Sequence, residues 1–239
     1  MLHEVIETMP LADRHSIHHD DSPVFKSIWP FAAHAIEQVK AALILIDSGY
    51  AYLAEVNGRS ALEHAIVVQW IMWTDQSEYA LVSEMLRINA ITLEEMEKAH
   101  AISLSERDQT PKPPRTTISH VQNMANRFSP DGFLYLLYRR LSDAVHPSLH
   151  TIQSYLQFDE YDVSAVVHHI AYKPSIDFMH ALMLSLMSCL TAVAGLDTDN
   201  TRLTSLMLYA ENHEVPFDLV AGDRTPHLTR PAWPREDST

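Results

Sequence analysis

The sequence predicts an all-α protein, a single-domain up-and-down bundle of about six to seven helices. In most long segments, apolar residues recur every three or four positions, the period of an amphipathic helix. The chain has only 5 glycines in 239 residues, whereas average usage of about 7% would give about 17, and tight hairpin turns depend on glycine. No segment shows a strand-like alternation that competes with the helical pattern. One hydrophobic core can serve a chain of this length.

The bundle is expected to occupy residues 23–213, between a polar N-terminal tail, 1–22, and a proline-rich C-terminal tail, 214–239. Both tails are expected to be flexible. The N-terminal tail contains the segment DRHSIHHDD, whose composition could bind a metal ion loosely. A solvated tail without metal is the preferred interpretation.

Three helices are expected in the first half of the chain. The first covers about 22–49, and Pro30 should kink or restart it. The second, 50–73, is apolar on nearly every side in its latter half, which is typical of the central helix of a bundle. The third, 77–107, is amphipathic. Its predicted apolar side comprises Leu81, Met85, Ile88 and Met96.

The next part of the chain begins with a proline-rich linker at 108–115. A short helix is expected over about 118–127 and a longer one over 133–146. Pro147 disfavours α geometry at the preceding residue and so ends this helix. Alternatively, Pro147 opens a continuation that reaches Leu156.

A long apolar helix over about 175–194 and a shorter one over 201–213 complete the predicted bundle. The long helix contains Cys189, the only cysteine, so no intramolecular disulfide can form. We expect Cys189 to be a buried small hydrophobe. A chain with one buried thiol fits a reducing compartment, and the cytoplasm is the expected location.

The charge and hydropathy of the chain exclude some function classes. With 31 acidic and 17 basic residues, the net charge of -14 argues against nonspecific nucleic-acid binding. A local basic patch could still hold a phosphate. The N-terminus does not resemble a secretory signal. The most apolar segment, 65–73, has less than half of the roughly 20 residues that a bilayer span needs, so no membrane association is expected.

Two charged residues interrupt the predicted central helix. Arg59 and Glu63 are four residues apart and therefore lie on one face. They could form part of a polar site, because burial of unpaired charge is costly. They could equally form an intrahelical salt bridge with a purely structural role. Both interpretations remain open at this stage.

The segment YRRLSDAVHPSLH concentrates more chemical groups than any other stretch. These groups belong to Tyr138, Arg139, Arg140, Ser142, Asp143, His146 and His150. If the helix ran straight to His146, Arg139 would share the face of His146, because seven residues make nearly two turns. Arg140 would point elsewhere, so Arg139 is the better partner of His146.

These segments resemble an uncharacterised bacterial all-helical family that combines an R-x-x-L-E helix with a Y-x-x-L-S-x-x-x-H segment. The matching residues are Arg59, Leu62, Glu63, Tyr138, Leu141, Ser142 and His146. A more distant resemblance is to the HEPN superfamily, in which an arginine and a histidine stand four to six residues apart. That resemblance implies a metal-independent ribonuclease of a toxin or phage-defence type, often completed across a dimer.

Metal and cofactor chemistry finds little support in the sequence. A di-iron bundle needs two Glu-x-x-His motifs and two further carboxylates on facing helices. The chain has one clear Glu-x-x-His motif, Glu97 with His100, on a helix whose charged residues are expected to face solvent. Gly-rich phosphate loops and H-E-x-x-H motifs are absent. We therefore expect no metal and no cofactor.

Two function hypotheses follow. In the first, the protein is a HEPN-like ribonuclease: His146 is the general base, Arg139 or Arg140 stabilises phosphate charge, and Tyr138 orients them. Its partners would be RNA, a second copy of the chain, and an antitoxin or other protein. In the second, the protein is a noncatalytic module that binds a protein or small ligand through a polar cluster. In both, Arg59, Glu63 and Ser142 support the site, and we expect Arg59 and Glu63 to lie within a few ångströms of the 138–146 segment.

Overall fold

A computed structural model describes residues 1–9, 11, 15–74, 76–99, 120–146, 148, 152, 155–158, 163–166 and 173–215. Within these ranges the prediction of an all-α bundle is confirmed, with eight α-helices. The helices are α1 (Leu2–Thr8), α2 (Ser22–Asp47), α3 (Ala51–Trp73), α4 (Ser77–Lys98), α5 (Val121–Phe128), α6 (Phe133–Ser142), α7 (Ile176–Leu196) and α8 (Thr201–His213). A single 3-10 turn, His19–Asp21, leads into α2. The helix α2 runs through Pro30 without a break.

The centre of the bundle is formed by α2, α3 and α7, each of which packs against the other two. The helices α2 and α3 are joined by a tight turn in which Gly49 has a φ of +84°, a conformation that favours glycine. Where α3 crosses α7, Gly58 allows close approach, because a Cβ at this position would overlap the ring of Phe178. Small residues at this crossing therefore determine how closely the two helices pack.

One buried side chain links two of the central helices, α3 and α7, through a hydrogen bond. Gln69 on α3 donates from Nε2 to the carbonyl oxygen of Ser188 on α7, at 2.8 Å. Its Oε1 accepts from the indole Nε1 of Trp73, at 3.1 Å. Both ends of the buried amide are thus satisfied, as buried polar groups require.

The helix α7 is long and apolar enough to cross a membrane by length and composition. In this fold, 78% of its most apolar window is buried inside the protein. A central helix of a protein core passes the same test, and α7 occupies that place. Cys189 is fully buried on α7, and burial raises the pKa of its thiol. It is therefore a core residue, as the sequence indicated.

The structure differs from the predicted N-terminal tail over residues 1–22. The first residues form α1, whose Leu2 and Val5 are part of the core. Further along, Ile17 makes a β-bridge with Asp197 beyond the end of α7. The cause is apolar side chains at helical spacing within a polar composition, since Leu2 and Val5 are three residues apart. Of the predicted C-terminal tail, the residues after Val215 lie outside the described part of the chain.

Two short strands are a second difference, because no strand was predicted. Strand β1 (Leu156–Phe158) pairs antiparallel with β2 (Val163–Val166). Each strand has only three or four residues, which is too short to show a clear alternation pattern. The alternative prediction was a helical continuation from Pro147 through Leu156, and Leu156 is instead the first residue of β1. Of the residues of that continuation only Ser148, Ile152, Tyr155 and Leu156 are described.

The helix α4 is the third difference. Three of the four residues on its predicted apolar side are exposed: Met85, Ile88 and Met96. The helical periodicity is confirmed, but among the described residues α4 makes few contacts with α2 and α3, and its buried residues, Ser77 and Glu78, stand at its start. The predicted extension to 107 and the linker at 108–115 lie outside the described residues.

Candidate functional site

The helices α3 and α6 bring four polar side chains together, which we call the Arg59 cluster: Arg59, Glu63, Tyr138 and Ser142. Arg59 donates from Nη2 to the hydroxyl of Tyr138, at 2.6 Å. The same Nη2 lies 3.3 Å from Oε2 of Glu63, one turn further along α3. Nε of Arg59 donates to Oγ of Ser142, at 3.1 Å. The expected proximity of Arg59 and Glu63 to the 138–146 segment is confirmed.

Helical spacing on α6 explains why these partners meet Arg59. Tyr138 and Ser142 are four residues apart, so they lie one above the other on one flank of α6. The Ser142 hydroxyl donates to the Tyr138 carbonyl oxygen, at 2.9 Å, which leaves its lone pairs for Arg59. The guanidinium carbon of Arg59 also lies 5.0 Å from the centre of the Tyr138 ring. Arg59 thus contacts both the hydroxyl and the ring of Tyr138.

The electrostatics of the cluster keep the tyrosine protonated. Burial raises the pKa of the Tyr138 hydroxyl, and the negative charge of Glu63 raises it further, while Arg59 lowers it. The Tyr138 hydroxyl donates toward Oε2 of Glu63, at 3.4 Å. The phenol therefore accepts from Arg59 and donates toward Glu63, so both of its hydrogen-bonding roles are used within the cluster.

The cluster lies at the edge of the core rather than inside it. The side chains of Arg59 and Glu63 are 24% and 33% exposed. An ion pair with this exposure is partly screened by water and contributes little by itself, on the order of 1 kcal/mol or less. The hydrogen bonds between α3 and α6 fix the position of the C-terminal turn of α6 relative to α3. Arg59 and Glu63 thus form the intrahelical pair, and both also belong to the larger polar cluster with Tyr138 and Ser142.

The remaining predicted residues lie on the exposed side of the same region. Arg139, Arg140 and His146 are all exposed. The helix α6 ends at Ser142, and the next residues form turns, so the premise of a straight helix to His146 is wrong. The last helical residues are followed by bonds from the amides of 143, 144 and 145 to carbonyls three residues earlier. A shared face of Arg139 and His146 therefore does not follow from helical spacing.

Arg140 also has a partner that the sequence did not indicate. Its Nη1 lies 3.0 Å from Oδ2 of Asp177, in the first turn of α7. Arg139 has no hydrogen bond or ion pair among the described residues. His150, also noted in the sequence, lies outside the described residues.

A cavity of about 130 Å³ lies between α3, α6 and α7, on the side of α6 that carries Arg140. Its polar lining includes Glu55, Arg140, Asp143 and Asp177. Glu55 is buried on α3 and precedes Arg59 by four residues, so Glu55, Arg59 and Glu63 follow one another along one side of α3. That spacing was visible in the sequence and would have identified Glu55. Among the described residues, no group of three or more His, Cys, Asp or Glu side chains is arranged to hold a metal ion.

Comparison with known proteins places this region within a family. Searches of curated proteins and of solved structures found no match to the chain. A family profile matches residues 28–163, which extend from α2 to the start of β2. The match includes the whole Arg59 cluster together with Arg139, Arg140 and His146, and covers more than half of the chain. The chain therefore belongs to DUF5677, a family of unknown function.

Proposed function

We propose that the protein is a metal-independent endoribonuclease whose active site is the exposed end of α6. The observation that supports it best is that exposed polar residues lie on, or directly after, a helical turn that partly buried hydrogen bonds hold in place. The Arg59 cluster holds the last turn of α6, and Arg139 and His146 are exposed residues of the same 138–146 segment. Catalysis requires groups that are exposed to substrate but held by rigid neighbours. In this proposal Tyr138 is a positioning residue, because its hydroxyl is engaged by Arg59 and Glu63.

The chemistry assigned to these residues is transesterification within RNA. His146 accepts the proton of a ribose 2'-hydroxyl, and the 2'-oxygen attacks the adjacent phosphorus. The bond from phosphorus to the 5'-oxygen of the next nucleotide breaks, giving a 2',3'-cyclic phosphate and a 5'-hydroxyl. The leaving oxygen takes a proton from solvent or from a histidinium. Arg139 stabilises the additional negative charge on the phosphate oxygens in the transition state.

A second copy of the chain is part of this proposal. The exposed side of α6 carries Phe133 and Leu136, which are 60% and 65% exposed, beside Arg139 and Arg140. Exposed large apolar side chains next to a functional site are typical of an interaction surface. A homodimer across this side would cover both and bring two sets of arginine and histidine together. In a toxin or defence system, an inhibitory protein partner would cover the same surface.

The experiment measures cleavage of a mixed RNA pool by the purified chain in excess chelator. The parent should cleave, and His146→Ala should lose about 100-fold or more in rate, the usual effect of removing a positioned acid or base. His19→Ala is the matched control, because His19 is fully exposed and stands before α2, far from α6 in sequence. The double variant Arg139→Ala/Arg140→Ala should also lose activity. Lys26→Ala/Lys98→Ala removes the same charge from two exposed sites elsewhere and should not.

The dimer is tested separately by sedimentation at tens of micromolar, a concentration on the order of ordinary association constants. Leu136→Glu should shift the protein to monomer, whereas Leu208→Glu, at a comparably exposed leucine on α8, should not. A monomeric parent would overturn the dimer. A parent that leaves the RNA pool intact in chelator would overturn the ribonuclease proposal.

The second candidate is a noncatalytic module that binds a protein or small ligand through this region. It is favoured by the closed hydrogen bonding of the Arg59 cluster and by the net charge of -14, which repels RNA. On this alternative, His146→Ala has no cleavage to remove. Intact RNA together with a lowered unfolding midpoint in His146→Ala would favour the module.

A further inference from the structure

His34 on α2 and His64 on α3 lie side by side where these two helices pack together. Their ring centroids are 4.8 Å apart, and the ring planes are inclined by 59°. His34 is exposed and His64 is half-buried, so the pair lies at the surface of the bundle. The two residues belong to different helices, and no sequence motif joins them. The fold therefore brings together two imidazoles that the sequence did not pair.

The hydrogen bond of His64 determines which of its ring nitrogens is free. Nδ1 lies 2.6 Å from the carbonyl oxygen of Ser60. A carbonyl oxygen only accepts, so Nδ1 carries the proton and Nε2 carries a lone pair. Nε2 has no hydrogen-bond partner among the described residues, and it is not among their buried polar atoms that lack one. Histidines that bind metal ions typically donate the other ring N–H to a carbonyl or carboxylate oxygen, as His64 does.

His15 shows why access to the free nitrogen matters. Its Nδ1 lies 2.9 Å from Oδ2 of Asp197, just after α7, so this histidine also has one nitrogen engaged and one free. Its Nε2, however, is buried, and the side chain as a whole is only 5% exposed. An ion cannot reach that nitrogen, so the pair of His34 and His64 is the better candidate for a ligand site.

His34 presents the same kind of nitrogen as His64. Its Nε2 lies 3.2 Å from the side-chain amide nitrogen of Gln38, one turn further along α2. An amide nitrogen only donates, so Nε2 of His34 accepts and carries a lone pair. This hydrogen bond is exposed, so water or an ion can take the place of the amide. Both imidazoles therefore carry their lone pair on Nε2.

The separation of the two rings matches that of two imidazoles that share one metal ion. Zn²⁺ binds imidazole nitrogen at about 2.0 to 2.1 Å, which places the ion about 3.2 Å from each ring centre. For an angle at the ion of about 90° to 109°, the two ring centres are about 4.5 to 5.2 Å apart. The observed 4.8 Å lies within this range. Phe31 lies beside the ring of His64, with centroids 5.7 Å apart, and limits its movement.

We propose that His34 and His64 bind one divalent transition-metal ion of the class that prefers imidazole, represented by Zn²⁺, through their Nε2 atoms. Water completes the coordination, because no third His, Cys, Asp or Glu side chain among the described residues is arranged to join them. Two ligands from different helices also tie α2 to α3. The site uses neither the Arg59 cluster nor His146, and the ribonuclease is assayed in excess chelator. The two proposals can therefore fail separately.

The test is a titration of Zn²⁺ into the full-length chain after dialysis against chelator, followed by NMR of the imidazole nitrogens. The Nε2 resonances of His34 and His64 should shift together and saturate at one ion per chain. Mg²⁺ at the same concentrations should leave them unchanged, because Mg²⁺ prefers oxygen ligands. This comparison requires no variant, so a folding defect cannot obscure it.

His34→Gln provides the second arm, because His34 is exposed and its loss removes one ligand without opening the core. The affinity for Zn²⁺ at this site should fall by about 10-fold to 100-fold, at least the effect of losing an outer-shell partner of a metal ligand. His18→Gln/His19→Gln is the matched control, because it removes two exposed histidines from the segment before α2 and should leave that affinity unchanged. Nε2 resonances that do not respond to Zn²⁺, or that respond equally to Mg²⁺, would overturn the proposal. So would a His34→Gln variant that binds Zn²⁺ as tightly as the parent.

Discussion

The substitution Tyr138→Phe tests the Arg59 cluster, because it removes one oxygen atom and keeps the ring. The lost hydroxyl accepts from Nη2 of Arg59, at 2.6 Å, and donates toward Glu63, at 3.4 Å. The ring remains in place over the guanidinium. The substitution therefore separates the hydrogen bonds between α3 and α6 from the packing between the same helices.

The expected loss follows from the geometry and exposure of these bonds. A hydrogen bond to a charged group contributes about 1.5 to 3 kcal/mol. Because Arg59 is partly exposed, water replaces some of the lost interaction, and we expect about 1 to 2 kcal/mol. For a domain of this size, each kcal/mol lowers the unfolding midpoint by about 2 to 4 °C. Calorimetry should show a decrease of about 2 to 8 °C.

Tyr135→Phe is the matched control on the same helix. Tyr135 stacks against Tyr138, but its hydroxyl has no hydrogen bond among the described residues. Its loss should change the midpoint by less than about 1 °C, as for a surface substitution away from any such feature. Equal shifts for the two variants, or no shift for Tyr138→Phe, would refute the conclusion that these hydrogen bonds hold α6 against α3.

Four further outcomes are expected. Burial and Glu63 raise the pKa of Tyr138, so its stabilising contribution is complete below about pH 10 and is lost as the pH rises through the folded-state pKa. As the pH is raised above about 10, the free energy of unfolding should therefore fall less for Tyr138→Phe than for the parent, as measured by urea denaturation at each pH. Gly58→Ala should destabilise by about 1 to 3 kcal/mol in urea, and Phe178→Leu in the same chain should reduce that cost. Gln69→Leu should cost about 1 to 3 kcal/mol for each hydrogen-bond partner it leaves unsatisfied, measured by the same denaturation. Cys189 should react with a thiol reagent only after unfolding, and fast reaction of the native protein would contradict its burial.

Much of the fold could be predicted from local patterns. The bounds of α3 and α8 differ from the predicted ones by a residue at most, because turn-forming or polar residues stand next to each of them. For α4 the same period predicted a helix correctly but predicted burial of a side that is exposed. An apolar period indicates which side of a helix favours burial, but it does not indicate which surface buries that side. The apolar side chains of α4 therefore do not by themselves identify the surface that they pack against.

One part of the candidate site could be predicted from the sequence and another could not. The contact between Arg59 and Tyr138 could be predicted, because polar groups in apolar helices need partners and the two segments contained complementary ones. The position of His146 could not, because it depends on where α6 ends, and Pro147 permitted more than one ending. The pair of His15 and Asp197 could not be predicted either. These residues are 182 positions apart, and each stands in a segment without a clear helical period.

The position of His146 and the pair of His15 and Asp197 escaped prediction for the same physical reason. Both sites lie where a helix ends, and there the chain direction is set by tertiary contacts rather than by propensity. The bonds of Arg59 hold the last turn of α6, and the carboxylate of Asp197 holds the turn after α7 through the amides of Ser16 and Asp199. In each case an internal polar contact fixes a helix end. At the active site proposed for the end of α6, a substrate would therefore meet a segment that is already held, which lowers the entropy cost of binding.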